Sequence, residues 1–267
     1  MQRIIERLER SLSWQVLSSA PALPNGMPHQ PNNAYGTWLA RLRRTREASL
    51  AAPSVHAPLP PHASDEAACH VLATDSDGQI AGAVRLFVAD RRQGPVDAGL
   101  LASFGRIEYP APELRHSHER ALQQWIAAMA HEPVFVYAGG FFTGDRWRGS
   151  GLAGALGAAA IAFARLHGSR FSASFATVNG QAPSLFRILG AAPLAAAEGP
   201  TLEPFYDARY GLHLQLMAFD SAHPHPSIEP AVEAMRLRLL RTIAMTSAEG
   251  PPPDQDRLQG RCVEEHA

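Results

Sequence analysis

No lysine occurs anywhere in this chain, so its 24 basic side chains are all arginine. A nucleotide-triphosphate P-loop, whose glycine run ends on a lysine, is thereby excluded. Cysteine is nearly as scarce. Cys69 and Cys262 are the only two, too few for a disulfide framework or a thiolate metal cluster. Cys69 sits in a strand-like run and reads as a small buried hydrophobe. No stretch approaches ~18 continuous apolar residues, and the opening MQRIIERLERSL is no signal peptide. Those two absences imply a cytoplasmic protein. A formal net charge of −1 leaves no basic surplus for non-specific nucleic-acid binding. Histidine is plentiful, at 12, yet none falls in H-x-x-x-H or H-E-x-x-H spacing. His223 and His225 sit among prolines in a loop, and no metal site is expected. No internal repeat is visible. A chain of 267 residues makes one large domain, or one domain with appendages.

What is present is organised around residues 132–168, EPVFVYAGGFFTGDRWRGSGLAGALGAAAIAFARLHG. Val134 to Phe142 is an apolar, aromatic run interrupted by Gly139-Gly140, the pattern of a buried strand with a bulge. A polar turn from Thr143 to Arg148 follows. Gly149-Ser150-Gly151 then opens an alanine-rich segment with Leu152, Leu156, Ile161 and Leu166 spaced as on a packed helix. In a strand, glycine turn, helix sequence, the first helical amides point outward without partners. With the positive end of the helix dipole they suit a phosphate. Arg146 and Arg148 add charge. A plain steric turn with two solvated arginines explains the same letters equally well. The spacing is not the G-x-G-x-x-G of a dinucleotide site.

Arg148-Gly149-Ser150-Gly151-Leu152-Ala153 fits R-x-x-G-x-A, and on those residues the chain resembles the GNAT acyltransferase superfamily. A second run, Asn179-Gly-Gln-Ala182-Pro-Ser-Leu185-Phe186-Arg-Ile-Leu-Gly190-Ala191, resembles that family's N-x-x-A-x-x-L-Y-x-x-x-G-F. The resemblance implies an α/β (α+β) fold with a mixed, mostly antiparallel sheet, a splayed strand pair and flanking helices. It implies acyl-CoA, or the phosphopantetheine of acyl carrier protein, as acyl donor, with no metal, and a small amine or amino acid as acceptor. It places the donor against Phe141, Phe142, Thr143, Arg148, Gly149, Ser150, Gly151, Leu152, Ala153 and Asn179. Asp65-Glu66 before His70-Val71-Leu72-Ala73, then Gly82-Ala83-Val84-Arg85-Leu86, and later Pro204 to Gly211 with Phe219-Asp220-Ser221, resemble a narrower branch. That branch holds the acyl-homoserine-lactone synthases and N-acyl amino acid synthases. It implies acyl carrier protein as a partner and a signal or lipid as product.

The implied chemistry is attack of an amine on a thioester carbonyl, which needs a base, a polarised carbonyl and an acid for the leaving thiolate. Backbone amides near Phe141 and Phe142 would polarise the carbonyl. The tyrosine that the family often uses as acid stands here as Phe186, which has no proton to give. Tyr206 and Tyr210 are substitutes, or aromatic packing at a strand entrance. Glu108, Asp207 and His70 are candidate bases, Glu108 first among them. Loss of the acid leaves a second outcome open, a binding module that holds the donor without turnover.

The remaining chain reads in order. Gln2 to Leu17 has Ile4, Ile5, Leu8, Leu12 and Val16 at helical spacing and is expected to be one amphipathic helix, either packed on the domain or serving a homodimer. Residues 18–33 are a loop. Tyr35 to Leu50 is a helix whose Arg41, Arg43, Arg44 and Arg46 form a solvated face or meet an acidic partner. Cys69 to Val88 is a hairpin turning at Asp75-Ser76-Asp77-Gly78, in which Arg85 requires a partner. Pro112 to His131 is a helix, Arg170 to Val178 a strand, Pro183 to Leu189 a short helix, Arg209 to Phe219 a strand and Glu229 to Met245 a helix. The domain reading is 1–34 an N-terminal helix and loop, 35–245 the acyltransferase domain and 246–267 a disordered tail.

Overall fold

A computed structural model of the chain describes residues 2–18, 35–50, 65, 68–92, 109–129, 131–179, 182–194, 202–208 and 211–248. The elements in order are α1 (Gln2–Glu9), β1 (Leu12–Leu17), α2 (Tyr35–Leu50), β2 (Cys69–Asp75), β3 (Ile80–Asp90), α3 (Pro112–Ala128), β4 (Val134–Thr143), α4 (Leu152–Leu166), β5 (Phe171–Thr177), α5 (Ala182–Ile188), β6 (Ala191–Pro193), β7 (Phe205–Asp207), β8 (Leu212–Asp220) and α6 (Glu229–Ala248). The strands form one sheet in the order β1-β2-β3-β4-β5-β8-β6, with β7 also paired to β8. Every pairing is antiparallel except that of β4 with β5. The mixed, mostly antiparallel sheet with flanking helices is therefore present.

The segment expected as one long helix divides. α1 ends at Glu9, and β1 pairs along its whole length with β2 as the sheet's edge strand. Leu12, Trp14 and Val16 are buried while Ser13 is exposed, a period of two that the helical spacing of Leu8, Leu12 and Val16 had masked. The β2–β3 hairpin turns as expected. Asp75 Oδ1 accepts from the backbone amides of Asp77 and Gln79, and Gly78 supplies the positive φ of 68°.

Alternation along the strands sorts the core into two layers. Val71, Ala73, Val84, Leu86 and Val136 face α4 and α6, with Ile5 and Leu8 of α1 joining them. Leu72, Ala83 and Phe142 face Leu39 and Leu42 of α2, while Phe135, Tyr137 and Leu216 face Leu122 and Ile126 of α3. Helix α4 is apolar nearly all round because it lies between the sheet and α6. Residues 19–33 of the expected loop and the tail from 249 lie outside the described residues. Helix α6 runs on to Ala248.

Candidate functional site

β4 and β5 run parallel but pair only at Val136 with Ser172 and Tyr137 with Ala173. Beyond that seam β4 continues to Thr143 and β5 to Thr177 with no further paired residues, while β5 pairs with β8 along its other edge. The expected splay is there. On its other side β4 is paired with β3, Arg85 opposite Gly139 and Ala83 opposite Phe142. Gly140 and Phe141 together therefore stand opposite Val84 alone, a bulge for which Gly140 adopts φ 55°. Phe142 is buried against α2, Phe141 is half-buried against the opposite layer, and Thr143 is half-buried where the strand ends.

After β4 a single 3-10 turn, Asp145–Trp147, leads to the glycine corner. Gly149 and Gly151 hold φ of 73° and 91°, backbone that side chains rarely adopt. Ser150 Oγ donates to the Trp147 carbonyl at 2.6 Å and accepts from the Leu152 amide at 3.2 Å. Among the described residues, the amides of Gly149, Gly151 and Ala153 meet no acceptor. Leu152 is buried as the first residue of α4 and Ala153 is half-buried beside it. The corner differs from expectation in one respect. The side of Gly151 where a Cβ would stand is occupied by Ile4 Cγ2, and Arg7 Nη2 of α1 donates to the Ser150 carbonyl at 2.7 Å. Gly151 is thus bare because α1 rests on it, whereas Gly149 has open space where its side chain would be. Arg148 is mostly exposed, pairing with Asp145 at 2.8 Å and donating to the Ser49 carbonyl at 3.3 Å. Arg146 reaches Asp75 at 3.9 Å.

The proton-transfer candidates lie apart. Glu108 and Tyr210 are outside the described residues. Tyr206 is half exposed on β7, its ring edge-on to His213 at 5.3 Å. Phe186 packs edge-to-face on Phe219, 6.2 Å away. Asp207 is fully buried. Asn179 Oδ1 accepts the His213 amide at 3.0 Å, tying the end of β5 to β8. Burial pushes His70 down to about 4, so its imidazole is neutral at pH 7. Nε2 lies 2.9 Å from the Asp65 carbonyl, which makes it the N–H donor, and Nδ1 is buried without a partner.

Two features escaped sequence reasoning. The first is the partner that Arg85 required. Asp65, fully buried, takes Arg85 Nη1 at 2.7 Å, Arg46 Nη2 at 2.7 Å and Arg43 Nε at 3.2 Å. Arg46 is therefore an interior residue rather than part of a solvated face, while Arg41 lies over the Trp38 ring at 5.4 Å. The three- and four-residue spacing of Leu39, Leu42 and Arg46 on the buried stripe of α2 was the available signal. The second is an aromatic group of Tyr109, His118, Phe175 and Phe205, with Tyr109 stacked on Phe205 at 4.7 Å. Burial raises the Tyr109 phenol well above its ordinary range and lowers His118. Among the described residues neither Tyr109 Oη nor His118 Nε2 finds a partner.

Among the described residues, no helix is long and apolar enough to cross a membrane. No protein-family profile matches the chain, and no curated protein matches it. Among solved structures it is similar to arylalkylamine N-acetyltransferase 2 from Aedes aegypti, at 15% identity over 79% of this chain and 99% of that one, with a TM-score of 0.47. It is similar to TofI, solved in a ternary complex with an inhibitor and MTA, at 17% identity over 84% and 99%, TM-score 0.45. It is similar also to FeeM, an N-acyl amino acid synthase from uncultured soil microbes, at 11% identity over 86% and 97%, TM-score 0.43.

Proposed function

We propose that this chain is a GNAT-type N-acyltransferase that moves an acyl group from an acyl-CoA or acyl-carrier-protein thioester to a small amine or amino acid in the cytoplasm. The observation that carries the reading is the parting of β4 from β5 after Tyr137 and Ala173, next to a bulge at Gly140 and upstream of a glycine corner with unpartnered amides. An open parallel wedge leaves β4 edge amides free for the amide groups of a pantetheine arm. The α4 N-terminus supports the pyrophosphate, through Gly149, Ser150 and the Leu152–Ala153 turn, with Arg148 as the exposed cation beside it. Gly151 contributes its amide while its other side holds α1.

In the reaction a C–N bond forms as the C–S bond breaks. The acceptor ammonium gives up a proton before attack, and the departing thiolate takes one. The bulge amides near Phe141 and Phe142 polarise the carbonyl. Phe186 supplies no proton, so the acid is assigned to Tyr206 and the base to Glu108. The decisive experiment measures donor binding by calorimetry and free-thiol release across a panel of acyl-CoAs and amines. Donor binding with amine-dependent thiol release is expected. Absence of donor binding overturns the reading; binding without release for any amine replaces the enzyme with a donor-holding module, the outcome that Phe186 favours.

A further inference from the structure

Two polar atoms on the α3 side of the sheet are left bare. His118 is fully buried, and its Nδ1 lies 2.8 Å from the Leu114 carbonyl one turn earlier on α3. A carbonyl only accepts, so Nδ1 carries the proton and Nε2 the lone pair. Among the described residues, Nε2 meets no donor and the buried Tyr109 Oη meets no partner. Burial holds both side chains uncharged at pH 7. Each orphaned atom costs stability that an apolar ring in its place would not. The two rings lie 5.5 Å apart and both pack on Phe175 and Phe205.

This group borders the wedge. Phe175 stands two residues beyond Ala173, where β5 last pairs with β4, and alternation keeps both on the α3 face. Phe175 and Tyr109 are only half-buried, so the group is reached from their side, with His118 behind them. Helix α4 packs on the opposite face. A donor whose pyrophosphate rests at α4 therefore sends its thioester end through the wedge, toward the face that holds Tyr109 and His118. Glu108, the assigned base, directly precedes Tyr109 in the chain.

We propose that His118 Nε2 and Tyr109 Oη form the subsite that receives the acceptor's amino group, reading it by its N–H donors, with Phe175 and Phe205 as walls for an apolar arm. The acceptor class is then a primary amine carried on apolar carbon. This rests on the acyltransferase reading and deepens it. A primary ammonium brings three N–H groups, enough to meet both lone pairs and leave one proton for the base, and aromatic faces favour its charge. A tertiary ammonium brings one N–H and leaves one of the two buried atoms unpaired.

The test is a saturation-transfer NMR titration of the full chain, so it does not depend on turnover. The probes are n-butylamine and 2-phenylethylamine, each beside its N,N-dimethyl analogue, which keeps the charge and the arm but has a single N–H. The primary amines should bind about tenfold tighter or more, the worth of one hydrogen bond to an atom otherwise left unpaired. His118→Phe and Tyr109→Phe should each remove most of that preference. Tyr109→Phe deletes only an unpartnered oxygen, so its urea midpoint should stay at or above that of the wild type, and it carries the test alone should His118→Phe fail to fold. A residue kept only for packing would leave the preference untouched. Equal affinity for primary and dimethylated amines, binding of neither, or a preference that survives Tyr109→Phe overturns the subsite. Thiol release from acyl-CoA with these amines, at unchanged kcat/KM in Tyr109→Phe, sinks the subsite and keeps the transferase. A primary-amine preference that Tyr109→Phe removes, with no thiol release from any acyl-CoA, does the reverse.

Discussion

Asp65→Asn is the most telling single change. The wild-type carboxylate accepts at 2.7 Å and 3.3 Å from Arg46, at 2.7 Å from Arg85 and at 3.2 Å from Arg43. Asparagine keeps the size but brings one carbonyl oxygen and an NH2 group that cannot accept. It also strands the guanidinia of Arg46 and Arg85, both nearly inaccessible to water. Breaking a buried pair from one side costs about 3–5 kcal/mol. With a urea dependence of about 2–3 kcal/mol per molar, the unfolding midpoint should fall by about 1–2 M. Asp90→Asn is the control. Asp90 pairs with Arg92 at 2.6 Å, as short as any contact at Asp65, but the Arg92 side chain is 69% exposed. Its loss is compensated by water, and the midpoint should move far less. Urea titrations followed by circular dichroism compare the two. Equal shifts would refute the claim that burial, rather than distance, sets the worth of these ion pairs.

Gly151→Ala should destabilise by about 1–2 kcal/mol from its left-handed backbone alone, and by more where the methyl meets Ile4; Ile4→Ala should recover the second part only, read as a coupling in a double-mutant cycle. His70 and His167 are both held by burial at about 4 against an ordinary 6.5. The unfolded chain therefore binds these protons first, so stability is full above pH 6.5 and falls as pH drops toward 4, by on the order of 3 kcal/mol per histidine; denaturant titrations at pH 7 and pH 5 check it, and a flat profile counts against it. Arg148→Glu should weaken donor binding about tenfold or more by putting a like charge beside the phosphates, with stability unchanged because the side chain is mostly exposed; unchanged calorimetric affinity removes Arg148 from the site.

The wedge and its corner were legible because they rest on local signals. Gly139-Gly140 in an aromatic strand marked the bulge, and Gly149 and Gly151 marked the turn. The element that fills one side of the corner was not legible. Nothing near Gly151 says that Ile4, far away in sequence, packs there, and the helical spacing of Leu8, Leu12 and Val16 hid the switch to β1. Arg85 was recognisable as needing a partner, but not which one. Asp65 lies 20 residues away and belongs to neither strand of the hairpin that carries Arg85. The short strands β6 and β7 were missed because three residues carry no periodicity.

The seam at Val136 and Tyr137 divides the sheet into two panels, β1 to β4 and β5 with β8, β6 and β7. At the seam two residue pairs join them, and the cores under α3 and α4 span both panels. A molecule lodged above it would act as an inserted strand, and amide exchange at Phe141 to Thr143 would slow as the panels were pinned apart.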